Sequence, residues 1–154
     1  MRQRKPNKAP FRAGGTSVIP IKLLKLEDGF HLLVNARVNG RVARLLIDTG
    51  ASQTVFDKER SAKFLSADKF EDHDKLSTGL GTGTMKSHRA VIDRISVGRI
   101  EIKKYLAVVI DLSHVNVAYG QLKQKPIDGV LGSDILKKGR AVIDYGKMTL
   151  RLNN

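Results

Sequence analysis

Two β-rich runs joined by Asn39-Gly40 constrain this chain more than any other feature. Phe30, Leu32, Val34, Ala36 and Val38 fall on one face, and His31, Asn35 and Arg37 mostly on the other. That period of two marks a half-buried strand. Asn-Gly readily supplies the two positive-φ residues that a tight hairpin turn requires. Arg41–Ile47 therefore reads as the returning arm, and it runs into Asp48-Thr49-Gly50-Ala51-Ser52. An apolar strand that stops in a turn carries a carboxylate to the rim of a buried core. Thr and Gly permit the tight loop that aims it.

With 154 residues and 41% apolar content, one domain with a sizeable core is expected. Fourteen glycines, 5% aromatics and many β-branched runs favour short strands over a helical bundle. No cysteine is present, which excludes a disulfide framework, thiolate metal sites and a cysteine nucleophile. The four histidines (His31, His73, His88 and His114) have no ligand spacing, so neither a metal nor a cofactor is expected. No apolar run approaches the roughly 20 residues that span a bilayer. The basic opening leads into no apolar stretch of the signal-peptide kind. A soluble chain is expected, and its compartment is left open.

The net charge is +13, and Arg2, Arg4, Lys5, Lys8 and Arg12 crowd the first fifteen residues without an acid. Residues 1–15 read as a basic, disordered tail. The same charge would suit nucleic acid or an anionic surface. Beyond it, Val18–Leu26 reads as one strand, with Pro20 suggesting an edge position. Thr54–Leu65 suggests a short helix, and Ala67–Lys75 a charged, exposed connection. Met85–Val97 and Arg99–Ile110 read as long strands joined at Gly98. Asp111–Lys125 reads as a polar surface loop, and Asp128-Gly129-Val130-Leu131-Gly132 as a short buried strand. Ser133–Gly139 reads as a helix with Ser133 as N-cap and Gly139 as stop. Arg140–Tyr145 and Met148–Leu152 close the chain as a hairpin. Ile143-Asp144-Tyr145-Gly146 faintly echoes Ile47-Asp48-Thr49-Gly50, which the commonness of strand-Asp-x-Gly turns suffices to explain.

Three features occur in order: Asp48-Thr49-Gly50-Ala51-Ser52, a glycine-rich segment at Gly79-Leu80-Gly81-Thr82-Gly83, and Gly129-Val130-Leu131-Gly132-Ser133-Asp134-Ile135-Leu136. In this order the chain resembles the retropepsin-like aspartic proteases over about residues 18–152. Asp-Thr-Gly alone is weak, and the late Val-Leu-Gly element is what makes the match specific. The resemblance implies an all-β fold, a closed or partly open barrel with one or two short helices, spanning 16–154. It implies Asp48 as the catalytic acid, with Thr49, Gly50 and Ala51 supporting its loop. Gly79, Leu80, Gly81, Thr82 and Gly83 would form a flap over a bound peptide. Val130, Leu131 and Gly132 would pack behind the active loop, with Asp134 in a structural role, hydrogen-bonded to backbone near the helix start.

In such enzymes two carboxylates share a proton and activate a water, without a metal or a covalent intermediate. This chain has a single Asp-Thr-Gly. A second copy must then supply the other acid across a two-fold axis, giving a homodimeric endopeptidase. Residues 57–75 and 111–127 read as insertions relative to the shortest viral members. Two other readings stand beside this one. The first is a catalytically silent dimerisation or peptide-binding module of the same fold. The second is a basic, nucleic-acid-associated β-protein in which Asp48 is a turn residue.

Overall fold

The computed structural model describes residues 15–66, 70–79 and 82–153, the backbone alone for 71–79 and 82–86, and the counts below are of these residues. The basic segment 1–14, and Leu80 and Gly81 at the centre of the glycine-rich segment, lie outside them. In chain order the strands are β1 (Ser17–Pro20), β2 (Lys22–Leu26), β3 (Gly29–Val38), β4 (Arg41–Ile47), β5 (Val55–Asp57), β6 (Phe70–Gly79), β7 (Thr82–Val97), β8 (Ile100–Ile110), β9 (Gly129–Leu131), β10 (Val142–Asp144) and β11 (Thr149–Leu152). A 3-10 turn (Arg60–Lys63) follows β5, and two helices, α1 (Ser113–Gln121) and α2 (Ser133–Lys138), flank β9.

The β3–β4 hairpin turns at Asn39 (φ 50°) and Gly40 (φ 83°), both left-handed as its two-residue loop requires. Asn39 also ties the turn to its surroundings. Its Nδ2 donates to the Phe64 carbonyl (2.9 Å), and its Oδ1 accepts from the Arg94 N–H (3.1 Å). Strands β3-β4-β9-β5-β8-β7 neighbour one another in that order, and β7 returns to pair with β3 at Val38↔Ile95, closing a six-stranded barrel. Leu32, Val34, Ala36 and Val38 point into its core, as their alternation predicts, while Phe30 remains exposed.

A second cluster lies outside the barrel. There Leu24, Leu33 and Val130 meet Leu112, Tyr119 and Ile127. It is covered by α1, where a surface loop is expected from sequence. That helix buries Tyr119 alone, carries two β-branched valines and Gly120, and exposes Val117, so its sequence lacks a helical apolar stripe. The structure departs from expectation in further places. Val18–Leu26 is two strands in different sheets. The Ile21 N–H turns to the Met148 carbonyl (3.1 Å), β1 joins β11, and β2 joins β3. Pro20 does sit on an edge strand. Residues 70–75 belong to β6 rather than to a connection, because a strand at a sheet edge tolerates the charges of Glu71, Asp72 and Asp74. Thr54–Leu65 does hold a short helix, of the 3-10 kind at Arg60–Lys63, but strand β5 precedes it.

The start of α2 also differs, while Gly139 stops the helix as expected. Gly132, in extended conformation, is the N-cap, and Ser133 is the first helical residue. Gly139 ends the helix with an ordinary φ of −79°, and Arg140 takes the left-handed position (φ 47°). Gly139 is there for space: a β-carbon would lie 2.9 Å from Leu152 Cδ2.

Strand β9 arrives late in the chain and fills the gap between β4 and β5. It runs parallel to β4 (Leu45↔Gly129, Ile47↔Leu131) and antiparallel to β5 (Val55↔Val130). Glycines at both ends permit this. A β-carbon on Gly129 would collide with the Val55 carbonyl, and one on Gly132 would lie 2.6 Å from the Gln53 carbonyl group. Gly132→Ala is expected to cost about 1–3 kcal/mol of stability, the range for overpacking a close contact. Gly120→Ala in α1, where an added methyl meets nothing within 4 Å, should cost nothing. Urea unfolding of the two variants checks the contrast.

Candidate active site

Asp48 leaves the end of β4 with its backbone fixed from behind. Its N–H donates to the Leu131 carbonyl (3.0 Å), continuing the β4–β9 ladder one residue into the loop. The loop closes on itself as the Ala51 N–H donates to the Asp48 carbonyl (3.2 Å), and it is anchored as the Ser133 N–H donates to the Ala51 carbonyl (2.7 Å). Within this frame the Gly50 N–H donates to Asp48 Oδ1 (2.9 Å). A β-carbon on Gly50 would come within 3.3 Å of that oxygen. Thr49 and Gly50 are exposed beside the carboxylate, and Ala51 packs against the outer cluster.

Asp134 organises the support. Its Oδ1 accepts from the Thr54 N–H (3.0 Å) and the Thr54 hydroxyl (2.8 Å), and its Oδ2 accepts from the Tyr105 hydroxyl. The Thr54 hydroxyl in turn accepts from the Gly132 N–H (3.0 Å). One carboxylate thus links β8, the strand behind the loop and the chain leaving it. Burial, followed by the neighbouring Asp134 charge and hydrogen bond, pushes the Tyr105 pKa far above its ordinary value. Tyr105 therefore stays a donor at any working pH. Thr54 and Tyr105 are absent from the sequence-based expectation. Thr54 carried one cue, as a polar residue next to the apolar Val55-Phe56 pair; Tyr105 carried none.

A cavity of about 300 Å³ opens beside Asp48, and its walls include Phe30, His31, Leu32, Thr49, Ile143 and Tyr145. Among the described residues that line it, Asp48 is the sole carboxylate. Asp144 does not line it, and its Oδ1 accepts from the Lys147 N–H (2.8 Å) as a turn residue. The echo at 143–146 thus brings Ile143 and Tyr145 to the site, not a second acid. His31 Nδ1 lies 2.6 Å from the hydroxyl of buried Tyr119. Burial raises that tyrosine to about 12. Being neutral, it can hold the imidazole from behind.

Gly79, Thr82 and Gly83 are at the far end of the β6–β7 hairpin, where Gly79 pairs with Thr82. Leu80 and Gly81 are outside the described residues.

A closed barrel whose strand delivers Asp-Thr-Gly-Ala, backed by a parallel strand ending in Gly132, has the form of a retropepsin-like aspartic protease fold. A family model for aspartyl protease matches residues 34–135, more than half of the chain, and the chain belongs to that family. Protein DDI1 homolog 2 of Mus musculus is 28% identical over 120 residues, covering 77% of this chain and 27% of that protein. DNA damage-inducible protein 1 of Cryptococcus neoformans is 26% identical over 123 residues, covering 80% and 25%. The chain thus spans about a quarter of these relatives' lengths. Two solved structures share its fold. A retropepsin-like aspartic protease from Rickettsia conorii has a TM-score of 0.56 and 23% identity, with 96% of each chain covered. The retroviral protease-like domain of Ddi1 from Leishmania major has a TM-score of 0.54 and 16% identity, covering 80% of this chain and 89% of that one.

The support network makes its own prediction. Thr54→Val keeps the shape but removes the hydroxyl that serves both Asp134 and Gly132. Unfolding free energy should fall by about 1–3 kcal/mol, the cost of stranding buried polar groups. Thr54→Ser should restore most of it. Equal stability of the valine variant and the wild type would remove the network from the account.

Proposed function

We propose that this chain is an aspartic endopeptidase whose catalytic dyad is Asp48 and its copy in a second chain. The observation that carries the reading is the single carboxylate in the wall of a cavity, held by the Gly50 N–H on a loop anchored by β9. Membership of the aspartyl protease family supports the same reaction class. Peptide hydrolysis by this route needs a base for the attacking water and an acid for the scissile carbonyl. One carboxylate cannot be both at once. Two held a few ångströms apart share one proton, as is general for aspartic proteases, and divide the roles between them.

In the catalytic cycle, the ionised member removes a proton from water as its oxygen attacks the amide carbon. The protonated member donates to the carbonyl oxygen, giving a neutral tetrahedral diol. Collapse of the diol breaks the C–N bond while a proton passes to the leaving nitrogen. Thr49, exposed beside Asp48, has its hydroxyl available to its counterpart across a two-fold axis. Gly79–Gly83 would close over the peptide, supply backbone hydrogen bonds and exclude water. Phe30, Leu32, Ile143 and Tyr145 would offer apolar surface to substrate side chains beside the dyad.

Asp48→Asn retains the Gly50 hydrogen bond through its amide oxygen but cannot serve as base. Cleavage of a peptide library should fall by at least about 10²–10⁴-fold, the usual worth of a positioned acid–base group, with thermal unfolding unchanged. Wild-type specific activity should also drop on dilution. Turnover that persists in the folded asparagine variant would refute the proposal.

A further inference from the structure

A cavity of about 520 Å³ lies on the outer face of the barrel, away from the residues that line the Asp48 cavity. Its floor is cross-strand paired sheet: Lys22 opposite Leu33 on β2 and β3, and Asn35 opposite Arg44 on β3 and β4. The segment that follows α1, Lys123 to Lys125, forms the facing wall. Hydrogen bonds fix that segment. The Lys123 N–H donates to the Gly120 carbonyl (3.0 Å) and the Gln124 N–H to the Tyr119 carbonyl (2.9 Å), which sets Lys123 in a left-handed conformation (φ 55°).

Among the described residues the lining holds four cations, Lys22, Arg44, Lys123 and Lys125, and no carboxylate. Arg44 Nη2 is buried without a hydrogen-bond partner. Unsatisfied buried donors are rare, although only this one nitrogen of the half-buried Arg44 is affected. Asp128, bonded to the Arg44 backbone, does not relieve it. Asp128 accepts from the Arg44 backbone N–H through Oδ2 (2.8 Å), while its Oδ1 takes Arg60 Nε (2.7 Å) and Lys63 Nζ (3.4 Å).

We propose that this cavity binds a small, multiply charged phosphate-bearing anion, with the half-buried Arg44 as anchor and Lys22, Lys123 and Lys125 as the surrounding charge. A guanidinium presents paired N–H donors that match two phosphate oxygens, and lysines neutralise the remainder as point charges. Asn35 and Gln124 add neutral donors at the wall. The volume lies within the range of small-molecule sites. The site is independent of the proteolytic reading, because none of its residues lines the cavity of Asp48.

Tripolyphosphate titrated calorimetrically into the full chain tests the proposal. One-to-one binding is expected, together with a rise in unfolding temperature. Arg44→Gln should weaken binding by about tenfold or more, in line with losing a charge-assisted pair. Lys123→Ala/Lys125→Ala, on exposed side chains, should weaken it comparably while leaving the fold intact, and it decides the matter if the Arg44 variant fails to fold. A full chain with Arg2, Arg4, Lys5, Lys8 and Arg12 replaced by Gln should bind as the wild type does. Absence of binding, affinity indifferent to the cavity variants, or affinity lost with the tail cations would each overturn the proposal.

Discussion

The parallel pairing of β9 with β4 is the constraint on which the rest of the site depends. Asp48 has little structure of its own, since it sits one residue beyond a strand end. Its position comes from the Leu131 carbonyl, which extends the sheet into the loop, and from the Ala51–Ser133 hydrogen bond, which anchors the loop to α2. Both contacts exist because β9 enters between β4 and β5, and it can enter because Gly129 and Gly132 have no β-carbon. Val130 and Leu131 are almost fully buried, each stabilising the arrangement by about 1.5–3 kcal/mol. The barrel core and the Asp48 loop therefore share one packing solution.

Polar groups are arranged around that solution so that few are stranded. Asp134 gathers Thr54 and Tyr105, and Asp128 gathers the Arg44 backbone, Arg60 and Lys63. Asp57, also buried, accepts from the Leu112 N–H (2.9 Å) and the Arg60 N–H (3.0 Å), tying the 3-10 turn and the start of α1 to the end of β5. A buried carboxylate satisfied by several donors fixes geometry as well as charge. Asp48 contrasts with Asp57 and Asp128, which are both buried. It is partly exposed at a cavity, where solvent can reach it.

The barrel's hairpin and the loop motif were legible because they are local. Alternation from Phe30 to Val38, Asn39-Gly40, and the apolar run into Asp48 all act within a few residues. The late Val130-Leu131-Gly132 strand was legible because an all-apolar segment between glycines has few other places to go. What sequence missed depends on distant partners. Helix α1 has no apolar stripe, and the strand character of β6 comes from pairing with β7 at an edge. The break at Ile21 reflects a hydrogen bond to Met148, 127 positions away. Tyr105 reaches Asp134 only through the fold. Tyr145 likewise reaches the Asp48 cavity from the far end of the chain.

In the proposed reaction one loop of this kind presents half of an acid dyad, so two chains must make one site. The direct measurement is a subunit-mixing titration. A fixed amount of wild-type chain is refolded with increasing Asp48→Asn chain, and peptide cleavage is followed. If each site needs both copies of Asp48, activity should fall towards zero as mixed dimers take up the wild-type chains. Activity that stays proportional to the wild-type chain, whatever the excess of the variant, would mean that a single chain carries the whole site.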